Sequence, residues 1–121
     1  MLDLKNLLSK ITSKLFNITE YPIVVPQTVT SSSSTLAANT YKDETANFTR
    51  PAACGDESYY PIIGAWNISG TNSSYVHCLG VYISGTSPNY TLHVKCRNTG
   101  SSAVTGMVVT GYIRYIRTNL N

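Results

Sequence analysis

The first twenty residues carry apolar side chains at alternating spacings of three and four, which is the pattern of one helix face. This is a heptad repeat with Leu8 and Leu15 at position a and Ile11 at position d, and it predicts an amphipathic helix over residues 1–20. Leu at a with Ile at d favours trimers or tetramers over dimers. Since Leu7 and Phe16 lie outside the seam, a helix packed on its own domain is the alternative. The full seam is Met1, Leu4, Leu8, Ile11, Leu15 and Ile18.

After residue 20 the pattern changes to short β-branched and aromatic runs separated by turn residues. It predicts strands at about 27–30, 40–49, 59–68, 75–84, 90–97 and 103–117. Pro22 and Pro26 restrict the segment between them to an edge strand or an extended connector, and Gly106 and Gly111 are expected at bulges or bends of the last strand. The chain therefore divides into an oligomerising helix (1–20) and an antiparallel β-sandwich or jelly roll (21–121).

One predicted strand is apolar on both faces. Residues 60–68 alternate as Tyr, Ile, Gly, Trp and Ile on one face and include Ile63 and Ala65 on the other. A strand of a two-layer fold needs only one buried face, so something must cover the second. The N-terminal helix is one candidate and a neighbouring subunit is the other. Together with the heptad, the second reading predicts a homotrimer whose interface contains Leu4, Leu8, Ile11, Leu15, Ile18, Ile63 and Trp66.

The charge content is low for a soluble domain. Charged residues make up 12% of the chain, with nine basic and six acidic residues and a net charge of +3, against roughly 25% charged residues on average. So few basic residues, spread along the chain, do not predict nucleic-acid binding. No apolar run reaches the roughly 18 residues of a membrane span, and charges interrupt the first ten residues, unlike a signal peptide. We therefore expect assembly in a cytoplasm.

Three cysteines cannot form a complete set of disulfides. Pairing Ser84 with Asn89 gives the best apolar match across the last hairpin and places Cys78 and Cys96 on opposite faces, which predicts no bridge. A register one residue away would place them together. The favoured register also separates the potential zinc ligands His77, Cys78, His93 and Cys96. No metal or cofactor is therefore predicted.

The acidic residues and motifs do not predict an enzyme. Four of the six carboxylates occur as the adjacent pairs Asp43–Glu44 and Asp56–Glu57, which would point to opposite sides of an extended chain. The sequence contains no nucleophile elbow, no zinc-protease motif and no phosphate-binding loop. We therefore expect a binding protein or a structural protein with no catalytic residues.

Five segments between residues 36 and 117 form a recognisable set: LAANTY (36–41), FTRP (48–51), PIIGAWNI (61–68), VKCRNTGSSAVT (94–105) and YIRYIR (112–117). With these segments the sequence resembles the C-terminal β-sandwich modules of tailed-bacteriophage tail fibres, receptor-binding proteins and related virion appendages. The resemblance implies a homotrimeric virion protein in which a short coiled coil leads into a head domain, often lectin-like.

Three functions remain open from the sequence. The first is a phage structural and adhesion module that contacts other virion proteins and binds a host-surface glycan or protein through Tyr59, Tyr75, Tyr82 and Tyr90, since tyrosines near strand ends give large contact areas and polar groups. The second is a purely architectural capsid-decoration or assembly protein. The third is a secreted cellular β-sandwich glycoprotein, for which carbohydrate on Asn67 or Asn72 would be the sign.

Overall fold

The computed structural model describes residues 3–16, 23–55 and 59–118, with the backbone alone for residues 12–16. Within these residues the protein is mainly β, with one helix and seven strands. They are α1 (Leu4–Phe16), β1 (Val24–Thr30), β2 (Ser34–Leu36), β3 (Tyr41–Thr49), β4 (Tyr59–Thr71), β5 (Val76–Thr86), β6 (Asn89–Asn98) and β7 (Val104–Arg117). The predicted helix, strands and antiparallel pairing are confirmed at this level, and β2 is an addition, since no strand was predicted between residues 30 and 40.

The strands form two antiparallel sheets. In sheet I, β7 lies at the centre, with β4 along one side and β1 and β2 following one another along the other. In sheet II, β6 lies between β3 and β5. Pro26 lies in β1, at the edge of sheet I, where a missing N–H is tolerated.

The inner faces of the two sheets share one apolar core. Val109, Ile113 and Tyr115 from β7 are buried against Leu92 and Val94 from β6, and residues of β1 and β3 complete the cluster. Gly111 lies where the sheets approach most closely, because a Cβ there would be 2.5 Å from Leu92 Cδ2. Gly111 therefore serves close sheet packing and is not the bulge or bend that the sequence suggested.

A second, smaller cluster closes the far end of the core around Asn98. The Asn98 side chain is fully buried, and its Nδ2 donates to the carbonyl oxygens of Leu36, Ala37 and Ser102 at 2.9–3.3 Å. Its Oδ1 accepts a 2.9 Å hydrogen bond from the Gly100 N–H. Asn98 thereby joins β6 to the β2–β3 connection and to the turn before β7.

Three bulges change which side chains face outward. In β4 the extra residue is Gly64, in β5 it is Leu79, and in β7 it lies next to Gly106, which has a φ of +60°. Each bulge shifts the alternation of side chains by one residue. The bulge or bend predicted at Gly106 is confirmed. The bulges at Gly64 and Leu79 were not predicted, and they alter the predicted faces of neighbouring residues in their strands.

Candidate functional site

The outer face of sheet I is apolar and exposed. Directly opposed residues share a face in an antiparallel sheet, and the register sets out three rows across β1, β7 and β4. The rows are Val24–Ile116–Tyr60, Pro26–Arg114–Ile62 and Thr28–Tyr112–Ala65. We call these nine residues the apolar face. Tyr60 is 66% exposed, and Ile62, Tyr112 and Val24 are each more than 40% exposed.

One charge lies within this face. The Arg114 side chain crosses the bulge at Gly64, because a Cβ on Gly64 would be 3.1 Å from Arg114 Nε. Arg114 is exposed, and its direct neighbours across the sheet are Ile62 and Pro26. Apolar and aromatic side chains around an arginine are the composition that protein interfaces favour.

Helix α1 presents a second exposed apolar surface. Asp3 caps its N-terminus, with Oδ1 accepting from the N–H groups of Lys5 and Asn6. Leu4, Leu8 and Ile11 of the predicted seam are exposed, and in the described part of the chain no strand packs broadly along the helix. Over residues 4–11 the helix therefore does not pack on its own domain, which was the alternative prediction. Of the remaining predicted interface residues on the seam, the Leu15 side chain and Ile18 lie outside the described residues.

The bulge at Gly64 corrects the predicted faces of β4. Ile63, predicted at the trimer interface, faces inward opposite Ile113 and packs against the core of its own chain. Trp66 faces inward opposite Gly111, but it is 44% exposed because β4 is an edge strand. On the outer face of β4 the large exposed apolar side chains are those of Tyr60 and Ile62, which were not among the predicted interface residues.

The outer face of sheet II is polar and carries a chain of hydrogen bonds across its three strands. His93 on β6 lies between Asp43 on β3 and Ser84 on β5, with His93 Nδ1 3.0 Å from Asp43 Oδ2 and Ser84 Oγ 2.7 Å from His93 Nε2. A neutral imidazole with its proton on Nδ1 satisfies both contacts, since it donates to the carboxylate and accepts from the hydroxyl.

An aromatic stack adjoins this chain of hydrogen bonds. The rings of Tyr82 and His93 are 4.3 Å apart and almost parallel, and Lys95 Nζ lies 5.4 Å from the centre of the Tyr82 ring. We call Asp43, Tyr82, Ser84, His93 and Lys95 the polar face. It combines an exposed aromatic ring with donors and acceptors of fixed orientation, which suits recognition of a neutral polar ligand.

Aspartate, histidine and serine in this order also occur in hydrolytic triads. In such enzymes the serine lies on a sharp turn beside backbone N–H groups that hold the oxyanion. Ser84 instead lies within a regular strand, paired with Thr91. We therefore interpret the Asp43–His93–Ser84 hydrogen bonds as contacts that hold the His93 ring parallel to the Tyr82 ring. No local sequence pattern predicts this arrangement, because only the register of three strands brings these residues together.

The four tyrosines predicted to bind a ligand do not converge. Tyr59 is 1% exposed, so the prediction that a ligand could reach it is wrong: its side chain fills the core. Tyr90 is half-buried and stacks on Phe48, with ring centres 5.6 Å apart. Tyr75 is exposed but lies at the opposite end of the β5–β6 hairpin, so Tyr82 alone belongs to the polar face.

Tyr90 also lines a cleft where the edge of β4 approaches the β5–β6 turn. The cleft measures about 300 Å³, and its walls are mostly apolar side chains from both sheets. They are Tyr60, Pro61, Ile62, Ile63, Ile83, Gly85 and Tyr90. Since Tyr60 and Ile62 belong to the apolar face, the cleft continues that face around the edge of sheet I.

The register of the β5–β6 hairpin corrects the prediction for the cysteines. The predicted pairing of Ser84 with Asn89 is wrong, because Ser84 pairs with Thr91. Val81 opposes Val94 and Ile83 opposes Leu92, so these four apolar residues share a face as expected, whereas Leu79 is exposed. Beyond the bulge at Leu79, however, Cys78 lies directly opposite Cys96 on the inner face. His77 and His93 face outward, whereas Cys78 and Cys96 face inward. The four potential zinc ligands therefore lie on two faces, but the residues that share a face are not those of the predicted register.

Within the described residues, no group of three or more histidine, cysteine or acidic side chains is close enough to hold a metal ion. No helix in that part of the chain has the length and apolar character needed to cross a membrane. Comparisons with protein-family models, with curated proteins and with solved structures found no match.

Proposed function

We propose that this chain is a structural module of a bacteriophage virion appendage, of tail-fibre type, that forms a homotrimer and presents its polar face to a host-surface glycan or protein. In this proposal the two sheets are the layers of a β-sandwich, and α1 continues the trimer as a short coiled coil. Its partners are two further copies of itself, other virion proteins and the host receptor, and its location is the virion.

The apolar face is the observation that carries the proposal. Tyr60, Ile62, Tyr112 and Val24 lie together on one side of a regular sheet and are largely open to water. Monomeric soluble proteins rarely expose an apolar patch that spans three strands, and such patches mark protein–protein contacts. We assign this surface to contact between subunits.

Helix α1 supports a second copy of this chain as the occupant. A heptad with Leu at a and Ile at d favours association of helices in threes or fours over pairs, and the described a and d residues face solvent. About two and a half heptads are marginal on their own. Contact between the apolar faces would therefore add the stability that the short coiled coil lacks, and one symmetry axis would serve both.

The polar face would stay exposed in the trimer and is therefore the surface that we assign to receptor binding. It lies on sheet II, whereas the apolar face lies on the outer side of sheet I. Contact between subunits through sheet I therefore leaves Tyr82, Ser84 and Lys95 available. A ring that stacks on a sugar and fixed neighbouring hydrogen-bond groups are the chemistry that glycan recognition requires.

A direct test is a glycan array probed with the purified full chain, followed by competition with soluble chain for phage attachment to cells. We expect binding that Tyr82→Ala abolishes and that Tyr75→Ala leaves unchanged, because Tyr75 is an exposed tyrosine away from the polar face. Equal loss in the two variants would contradict the assignment of the polar face. A trimer that binds no host surface would favour the purely architectural alternative.

A further inference from the structure

Cys78 and Cys96 are direct neighbours across the β5–β6 hairpin. They are opposed in the register, just beyond the bulge at Leu79, and both face the core. Directly opposed residues in antiparallel strands have Cα atoms about 4.5–5.5 Å apart, within the roughly 4.4–6.8 Å that a disulfide spans. Both sulfurs are in the thiol form in this structure.

The two thiols differ in their access to solvent. Cys78 lies on edge strand β5 and is half-buried, whereas Cys96 lies on central strand β6 and is fully buried. Burial, followed by the nearby carboxylate of Glu44, raises the pKa of the Cys96 thiol. Cys78 is therefore the thiol that a reagent from solvent reaches first, and Cys96 is the slower nucleophile beside it.

The geometry points to Cys78 and Cys96 as a redox site, in which a low-molecular-weight disulfide of the glutathione class converts the two thiols into a cross-strand disulfide. The Cys78 thiolate attacks one sulfur of the small disulfide, forms a mixed disulfide and releases one small thiol. The Cys96 thiolate then attacks the Cys78 sulfur and releases the second small thiol. Two electrons pass from the protein to the reagent, and the two cysteine protons end on the two released thiols.

The bridge would fix the edge of sheet II. It would tie β5, which carries Tyr82 and Ser84, to β6, which carries His93. The interaction given up is the weak hydrogen bond from Cys96 Sγ to the Lys42 carbonyl oxygen at 3.5 Å. A protein assembled with reduced thiols in a cytoplasm would gain this bridge after it enters an oxidising medium. The site lies within one chain and does not depend on the proposed trimer.

The test is incubation of the reduced full chain with oxidised glutathione, followed by alkylation and peptide mapping by mass spectrometry. We expect an intact mass lighter by about two mass units before alkylation, a Cys78–Cys96 cross-linked peptide in the map, and a melting temperature raised by about 5–10 °C. The raised melting temperature should return to its starting value after reduction with dithiothreitol.

Two variants separate this outcome from general thiol chemistry. Cys54→Ser should form the bridge as the unaltered chain does, because Cys54 lies outside the hairpin. Cys96→Ser should stop at a mixed disulfide between Cys78 and glutathione. Bridges that involve Cys54, a mixed disulfide as the final product of the unaltered chain, or three thiols that remain free would each overturn the inference.

Discussion

Replacement of Tyr60 by serine isolates the contribution of the apolar face to assembly. About two thirds of the Tyr60 side chain is open to water in the single chain. A buried aromatic residue removes roughly 150–250 Å² from water, so contact with a second copy would bury on the order of 100–160 Å² more. At about 25 cal/mol per Å², that burial contributes on the order of 3 kcal/mol for each subunit.

The assay is sedimentation equilibrium over a range of chain concentrations, with thermal unfolding measured in parallel. Tyr60→Ser should raise the concentration at which the trimer dissociates by at least tenfold. The trimer dissociation constant varies as the square of that concentration, so this rise is equivalent to about 2.8 kcal/mol per trimer. The unfolding of the dissociated chain should change little, because Tyr60 lies outside the core. Tyr41→Ser is the matched control, since Tyr41 is 50% exposed on the outer face of sheet II.

Two results would contradict this role of the apolar face. Dissociation of the Tyr60→Ser variant at the same concentration as the unaltered chain would remove the apolar face from the interface. An equal weakening by Tyr41→Ser would show that the effect follows from losing any exposed tyrosine, not from this face.

Three further predictions concern the interior and the polar face. Asn98→Asp should lower the free energy of unfolding by about 3–5 kcal/mol in urea titrations, because a carboxylate oxygen would replace the amide that donates to three carbonyls; an unchanged midpoint would contradict this. Gly111→Ala should lower it by about 1–3 kcal/mol through overlap with Leu92, and adding Leu92→Val should restore part of the loss. Asp43→Ala should move the proton of neutral His93 from Nδ1 towards Nε2, as read from imidazole nitrogen shifts by NMR; an unmoved proton would exclude the carboxylate as its anchor.

The regular elements could be predicted because their patterns are local. The heptad spacing identified α1 and its apolar seam, and the alternation of apolar residues gave β3 and β7 to within one residue at each end. The Asn98–Gly100 turn was visible as a break between strands. The sequence did not show that the Asn98 side chain joins two connections, because the carbonyl groups that it bonds lie at residues 36, 37 and 102.

The faces of the strands could not be predicted in full, because a bulge depends on the partner strand. The bulge at Gly64 put Trp66 on the same inner face as Ile63, and the bulge at Leu79 brought Cys78 opposite Cys96. The Asp43–His93–Ser84 chain likewise depends on the relative register of three strands. Both candidate faces thus consist of residues that the sequence contains but does not by itself bring together.

The mass of the full chain in solution shows whether the protein forms a trimer. Light scattering on the chromatographic peak should give three times the 13.2 kDa chain, or about 40 kDa, for a closed cyclic trimer. A version of the chain that begins at Tyr21 should dissociate at higher concentrations than the full chain, because it lacks the coiled coil. A mass near 13.2 kDa for the full chain at every concentration would contradict the account.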